Sequence, residues 1–226
     1  MAFRINITSA LQDRMLWRRF HALTMANRHR FCANLSLIRR RAREIDLARG
    51  CYVECGTWRG GISFAVMQLD IGIREFRFFD SFEGLPHATI EDGARALADQ
   101  ATGRLWHDNN KADAAEFSAN LKRYGRPGQS LFVSKGWFED TLPCFPADRA
   151  ISILRMDGDW YQSTRCILRN LFAYVIPGGL IIVDDYFDWE GCARALHEYL
   201  GEIKAPERIR EAEAGDFAYI VKEPPG

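Results

Sequence analysis

Three aspartates in this 226-residue chain, Asp157, Asp184 and Asp185, stand directly after apolar runs. Asp157 lies in Arg155-Met156-Asp157-Gly158-Asp159-Trp160-Tyr161, after Ala150-Ile151-Ser152-Ile153-Leu154. Asp184 and Asp185 follow Gly179-Leu180-Ile181-Ile182-Val183. Short apolar runs bounded by turn residues read as buried parallel strands. In open α/β sheets the ligand crevice lies outside the carboxyl ends of the strands, so the three aspartates are expected on one rim. Carboxylates from two strand ends make a hard, oxygen-rich site of the kind that suits Mg²⁺.

The elements that must carry this rim follow from periodicity. Residues 1–49 read as an N-terminal helical cap, with Leu11, Met15, Leu16, Phe20, Leu23 and Thr24 at helical spacing and a second helix through Leu35, Ile38 and Ile45. From residue 50 to 226 the pattern changes to strands alternating with helices. The spacing predicts strands at Cys51–Cys55, Phe76–Asp80, Ser130–Val133, Ile151–Met156 and Gly179–Val183, with two short ones near Ile209 and Phe217–Val221. A long insertion at about 81–110 reads as a lid, with a helix near Ala94–Ala101. Such alternation predicts a doubly wound α/β fold with a mostly parallel, Rossmann-like sheet.

The composition bounds the function. The chain is 47% apolar and 27% charged, and thirty basic residues balance thirty acidic ones. No overall field favours nucleic acid or a membrane, and no run is long and apolar enough for a membrane span, so a cytoplasmic enzyme with a small-molecule substrate is expected. Arg39-Arg40-Arg41 reads as a solvated helix face rather than a nucleic-acid patch, because acidic and apolar residues interleave with it. The six cysteines are scattered among core elements; Cys51 and Cys55 have no second pair to complete a metal site and read as buried thiols. His21, His29 and His87 lack partners at ligand spacing, and His197, beside Glu198, reads as a half-exposed helix residue.

The first strand-to-helix turn is Glu54-Cys55-Gly56-Thr57-Trp58-Arg59-Gly60. Dinucleotide dehydrogenases use Gly-x-Gly-x-x-Gly there, with a pyrophosphate on the helix start. An acidic residue two before the first glycine would repel a pyrophosphate but suits an ammonium group. Asp80 ends the second strand, where a carboxylate can accept from two ribose hydroxyls. Together they point to S-adenosylmethionine as the cofactor, so residues 50–226 read as its binding domain.

At the level of whole motifs, Val53-Glu54-Cys55-Gly56-Thr57-Trp58-Arg59-Gly60-Gly61, Asp80-Ser81-Phe82-Glu83-Gly84-Leu85-Pro86, Gly136-Trp137-Phe138-Glu139-Asp140-Thr141-Leu142-Pro143, Arg155 to Thr164 and Pro177 to Tyr186 resemble the macrocin O-methyltransferase family. The resemblance runs from about Thr24 to the last strand. It implies a class I methyltransferase fold, and methylation of deoxysugar hydroxyls on natural products with S-adenosylmethionine and Mg²⁺. Carried over, it implies Glu54, Gly56 and Trp58, with Cys55, Thr57 and Gly60 in the same turn, at the methionine end of the cofactor. Asp80 would hold the ribose, with Ser81 beside it. Gly136, Trp137 and Phe138 would wall the adenine, with Glu139 near its amine. Thr24 and Met25 would close over the cofactor carboxylate. Asp157, Asp184 and Asp185 match the metal ligands, and His107 falls where the family places a catalytic histidine. The resemblance also implies a homo-oligomer. The stretch ahead of Thr24 is shorter than in members acting on macrolides, so the family name does not carry over to the acceptor.

The expected chemistry is methyl transfer to one hydroxyl of a vicinal diol. Such a hydroxyl must be deprotonated and aimed, and His107 or Asp159 is expected to take the proton. Asp159 can equally cap the helix that starts near Ser163. Tyr161, Tyr186 and Trp189 are expected either to wall the acceptor or to pack in the core. A catechol-like phenol as acceptor, a methyltransferase-like binding module without turnover, and a dehydrogenase are the competing readings.

Overall fold

The computed structural model describes residues 7–102, 110–213 and 216–224. Two helices open the chain, α1 (Ile7–Phe20) and α2 (Arg28–Glu44). The alternating part follows as β1 (Cys51–Cys55), α3 (Gly61–Met67), β2 (Glu75–Asp80), α4 (Gly93–Ala101), α5 (Ala114–Tyr124), β3 (Ser130–Lys135), the short α6 (Phe138–Thr141), β4 (Ile151–Met156), α7 (Tyr161–Leu171), β5 (Val175–Val183), α8 (Glu190–Glu202), β6 (Arg210–Glu211) and β7 (Ala218–Val221).

The sheet has seven strands in the order β3-β2-β1-β4-β5-β7-β6. Its first five strands are parallel, and β7 and β6 run antiparallel at one edge. The chain order reverses between β1 and β4, which opens a crevice at their carboxyl ends. Pairing runs past the strands into the loops: Asp157 N–H donates to Cys55 O at 2.8 Å, and Asp184 N–H to Met156 O at 2.9 Å. The ends of β1, β4 and β5 are thereby held side by side.

Both faces of the sheet are buried, because side chains alternate between them. Tyr52, Phe76, Phe78, Ile153 and Ile182 face one layer, which they share with Leu16 and Phe20 of α1 and Phe31, Leu35 and Ile38 of α2. Cys51, Val53, Cys55, Leu154, Ile181 and Val183 face the other, under α7 and α8. The N-terminal helices and the sheet therefore share one continuous apolar layer.

The apolar stripe expected on α1 is buried only in part. Leu16 and Phe20 are inside, whereas Leu11 and Met15 are 53% and 69% exposed. The arginines of α2 also depart from a solvated face. Arg39 pairs with Asp13 of α1, Arg40 donates to the Tyr219 hydroxyl of β7, and Arg41 to Gly178 O. They are half-buried bolts because their long stems cover apolar surface while their heads find acceptors. Among the cysteines, Cys51, Cys55 and Cys192 are buried as expected, but Cys144 is exposed.

The insertion after β2 is packed on the main body through residue 102. Asp92 is 2% exposed and accepts from Thr89 N–H, and its other oxygen accepts from Tyr161 N–H at 2.7 Å. Trp160 Nε1–H donates to Pro86 O at 2.8 Å, and Ala112 N–H donates to Phe82 O where the chain returns. Among the described residues, no helix is long and apolar enough to cross a membrane.

Candidate functional site

The crevice at the switch between β1 and β4 holds two adjoining hollows. The first has a volume of ≈ 170 Å³, and its lining includes Met25, Gly56, Trp58, Asp80, Ser81, Gly136, Trp137, Phe138, Glu139, Asp157 and Asp159. The second, ≈ 370 Å³, has Thr24, Met25, Arg30, Glu54, Thr57, Trp58, Arg155, Asp157, Asp159, Asp184, Asp185 and Trp189 in its lining. Met25, Trp58, Asn110, Asp157 and Asp159 border both. The first hollow carries the aromatic rings of Trp58, Trp137 and Phe138 beside carboxylates, and its neighbour gathers more carboxylates together with Arg30, Arg95 and Arg155.

Close backbone approach dictates glycine in the first turn. Gly56 has φ +86°, and a Cβ there would lie 1.8 Å from Asp157 O. Trp58 is left-handed at φ 48°, a costly conformation for a bulky residue, and it is maintained by Asp80. One Asp80 oxygen accepts from Thr57 N–H at 2.6 Å and Trp58 N–H at 2.8 Å, and the other accepts from Phe82 N–H at 2.6 Å. The carboxylate borders the first hollow and clamps the Thr57–Trp58 turn beside it. Cys55 and Gly60, two of the expected cofactor residues, line neither hollow. Strand alternation turns Cys55 to the face opposite Glu54, and a Cβ on Gly60 would meet the rings of Phe64 and Phe117. Their places in the motif reflect packing.

Arg155 is the hub of the acidic hollow, and sequence reasoning gave it no role. It stands opposite Glu54 in the β1–β4 register and is 1% exposed. Its Nη1 donates to Glu54 Oε1 at 3.1 Å and Asp157 Oδ2 at 2.8 Å, while Nη2 lies 2.9 Å from Asp184 Oδ1. The available signal was a charged residue inside a run otherwise buried on both faces, which must find partners. Glu54 accepts also from the Tyr52 and Ser63 hydroxyls, at 2.9 and 2.6 Å. Burial pushes its carboxyl up to about 7, against the pull of Arg155. Arg30 of α2 was likewise not anticipated; it reaches the far side of the same cluster.

The structure brings Asp157, Asp184 and Asp185 together, with one ligand oxygen of each within 4.8 Å of the others. Burial and the adjacent Asp184 charge push Asp157 up to about 6 despite Arg155. Burial and the Asp157 charge push Asp159 up to about 8, and burial with the Asp159, Asp157 and Asp184 charges raises Asp185 well above the usual carboxylate range. Carboxylates crowded with too few countercharges are relieved by a divalent cation, and an all-oxygen donor set fits Mg²⁺.

Asp159 borders both hollows at φ 54° and accepts from Trp189 Nε1–H at 3.1 Å. It does not cap the following helix: Trp160 occupies that position, and the Asp92 carboxylate from the insertion accepts the Tyr161 N–H. Trp189 lines the second hollow, while Tyr161 and Tyr186 turn away to Glu198 and His197. His107 lies outside the described residues.

The mostly parallel seven-stranded sheet and its flanking helices are those of the class I O-methyltransferase fold. A solved structure of the O-methyltransferase NovP superposes with a TM-score of 0.74 at 26% identity, covering 96% of this chain and 99% of that one. The chain belongs to the macrocin O-methyltransferase (TylF) family, whose profile matches residues 11–215. It is 38% identical over 173 residues to the 8-demethyl-8-(2,3-dimethoxy-α-L-rhamnosyl)-tetracenomycin-C 4'-O-methyltransferase of Streptomyces olivaceus, covering 74% of this chain and 64% of that protein. It is 37% identical over 167 residues to the demethyldecarbamoylnovobiocin O-methyltransferase of Streptomyces niveus, covering 71% and 62%. The match thus spans less than two thirds of these curated relatives.

Proposed function

We propose that this protein is an S-adenosylmethionine- and Mg²⁺-dependent O-methyltransferase that methylates one hydroxyl of a vicinal diol on a sugar of a glycoside or secondary metabolite. The observation that carries the reading is the hollow with aromatic rings adjoining one richer in carboxylates, with Asp157 and Asp159 on their common border. The relatives support the acceptor class, since the Streptomyces olivaceus protein is named for a rhamnosyl 4'-O-methylation.

Asp80 and the Trp137–Phe138 wall would hold the nucleoside, and Glu54 with Thr24 and Met25 the amino-acid end. Asp157, Asp184 and Asp185 would hold the metal, with Arg155 fixing the first two. When bound, S-adenosylmethionine supplies an electrophilic methyl group, and Mg²⁺ lowers the pKa of a coordinated hydroxyl. Asp159, held by the Trp189 indole on the border of both hollows, would accept the proton of the acceptor hydroxyl. His107 is the alternative base.

Calorimetric titration of S-adenosylhomocysteine, with and without Mg²⁺ and a panel of sugar diols and catechols, tests the proposal. Cofactor binding with a diol signal that needs metal supports it. A catechol signal alone would replace the sugar, and no cofactor binding at all would leave a binding module.

A further inference from the structure

Arg30 stands in the first turn of α2, just after the segment Thr24–Met25–Ala26 that lines the acidic hollow. Its own N–H anchors the helix start, donating to the Asn27 side chain at 2.9 Å. Its guanidinium crosses to the other wall. Nη1 lies 2.8 Å from Asp188 Oδ2 and 3.4 Å from Asp184 Oδ2, and Nη2 donates to Asp216 O at 2.7 Å. A single side chain, 15% exposed, thus ties the N-terminal segment to the end of β5, to the loop after it and to the turn before β7.

The N-terminal segment is closely fitted at that point. A Cβ on Gly61 would lie 2.7 Å from Thr24 Cβ, so the segment rests directly on the first turn of the main body. Arg155 is already committed to Glu54, Asp157 and Asp184. Arg30 reaches the cluster from outside the sheet, and Arg95 of α4 borders the same hollow without an ion pair to the three aspartates among the described residues. The two contacts of Arg30 with carboxylates are unequal. The short one goes to Asp188, which is outside the metal triad, and the long one goes to Asp184, which is inside it. Arg30 can therefore keep its anchor on Asp188 while Asp184 turns an oxygen to a cation.

We propose that Arg30 is a positioning residue that couples the N-terminal segment to the metal site, with opposite effects on the two ligands. Its ion pair holds Thr24 and Met25 over the crevice and so strengthens cofactor binding. Its positive charge, beside Asp184, opposes a divalent cation at Asp157, Asp184 and Asp185. This coupling rests on the Mg²⁺ and S-adenosylmethionine reading above. A purely structural bolt would behave differently, because loosening it would weaken both ligands together.

The test is calorimetric titration of Mg²⁺ alone, and separately of S-adenosylhomocysteine alone, into the wild-type chain and the variants Arg30→Gln and Asp188→Asn, each shown to be folded by thermal melting. Arg30→Gln is expected to bind S-adenosylhomocysteine more weakly by roughly ten- to a hundredfold, the scale of a lost charge-assisted tether. The same variant is expected to bind Mg²⁺ more tightly by roughly tenfold, because one unit charge is removed close to a divalent ion. Asp188→Asn cuts the same tether but removes a negative charge, so both ligands are expected to weaken. If Arg30→Gln weakens both ligands, or moves neither, the coupling is wrong. If the wild-type chain binds no Mg²⁺, the metal reading fails instead.

Discussion

Arg155 and Asp157 lie two residues apart where β4 ends, and the guanidinium of the first donates to the carboxylate of the second at 2.8 Å. The same guanidinium holds Glu54 and Asp184, so one buried cation organises carboxylates from three strand ends. Removing it leaves Glu54 and Asp157 without that ion pair and Asp184 with Arg30 alone. Arg155→Met is expected to cost about 3–5 kcal/mol of stability, and Arg155→Lys less, since an ammonium keeps the charge but lacks the fork. Urea unfolding measures both. A loss below about 1 kcal/mol for Arg155→Met, the range of an ordinary surface change, would refute the hub.

Asp80 binds three backbone N–H groups of the loops beside it. Asp80→Ala is expected to weaken S-adenosylhomocysteine by roughly a hundredfold or more, because it removes the clamp on Trp58 as well as a ribose acceptor. Asp80→Asn keeps one acceptor oxygen and should fall between. Titration calorimetry gives both values, and equal affinities in Asp80→Ala and wild type would rule out a place for Asp80 in the cofactor site.

Asp159→Asn separates the candidate bases. Asparagine tolerates the left-handed backbone at this position and can still accept from Trp189, so the fold should hold. The expected loss in kcat is roughly 10²–10⁴-fold, with S-adenosylhomocysteine affinity nearly unchanged. His107→Ala should leave the pH–rate profile in place. Stopped kinetics in His107→Ala with normal turnover in Asp159→Asn would assign the base to His107.

Asp92 joins the insertion to α7, the helix that follows Asp157–Trp160, accepting from Tyr161 N–H and Thr89 N–H. Asp92→Ala is expected to cost about 1–2 kcal/mol, as the loss of a helix cap does, and to expose residues 81–102 to protease. Limited proteolysis followed by mass spectrometry checks this; wild-type resistance would show that the insertion is held elsewhere.

Thiol reactivity should follow burial. Burial pushes the Cys51 thiol up to about 12 and keeps it protonated, as it does for Cys55 and Cys192. A disulfide reagent at pH 8 should modify Cys144 at once and these three only on unfolding. The raised Cys51 pKa has a second consequence. The unfolded chain gives up that proton near pH 9 and the folded one only near pH 12, so this contribution to stability is whole below pH 9 and lost as pH rises to 12. Alkaline melting of Cys51→Ala against wild type reads it.

Local spacing was sufficient to place the strands and the acidic residues at their ends. Apolar runs ending in Glu54, Asp80, Asp157 and Asp184-Asp185 define strand termini whatever lies beside them, and a parallel sheet must collect such termini on one rim. Strand alternation likewise puts Cys51 and Cys55 on one face. It could not show which termini are neighbours. The β1–β4 register that sets Arg155 against Glu54, 101 residues away, exists only once the sheet is assembled. Arg30 is further removed: it reads as one more surface arginine until α2 is docked, when its side chain meets Asp184 from 154 residues away. Asp159 looked like a helix cap by spacing, and Asp92 took that place from a separate segment. Charged side chains declare their type in the sequence, but their partners are chosen by tertiary packing, because a buried charge persists only where the fold brings its counterpart within reach.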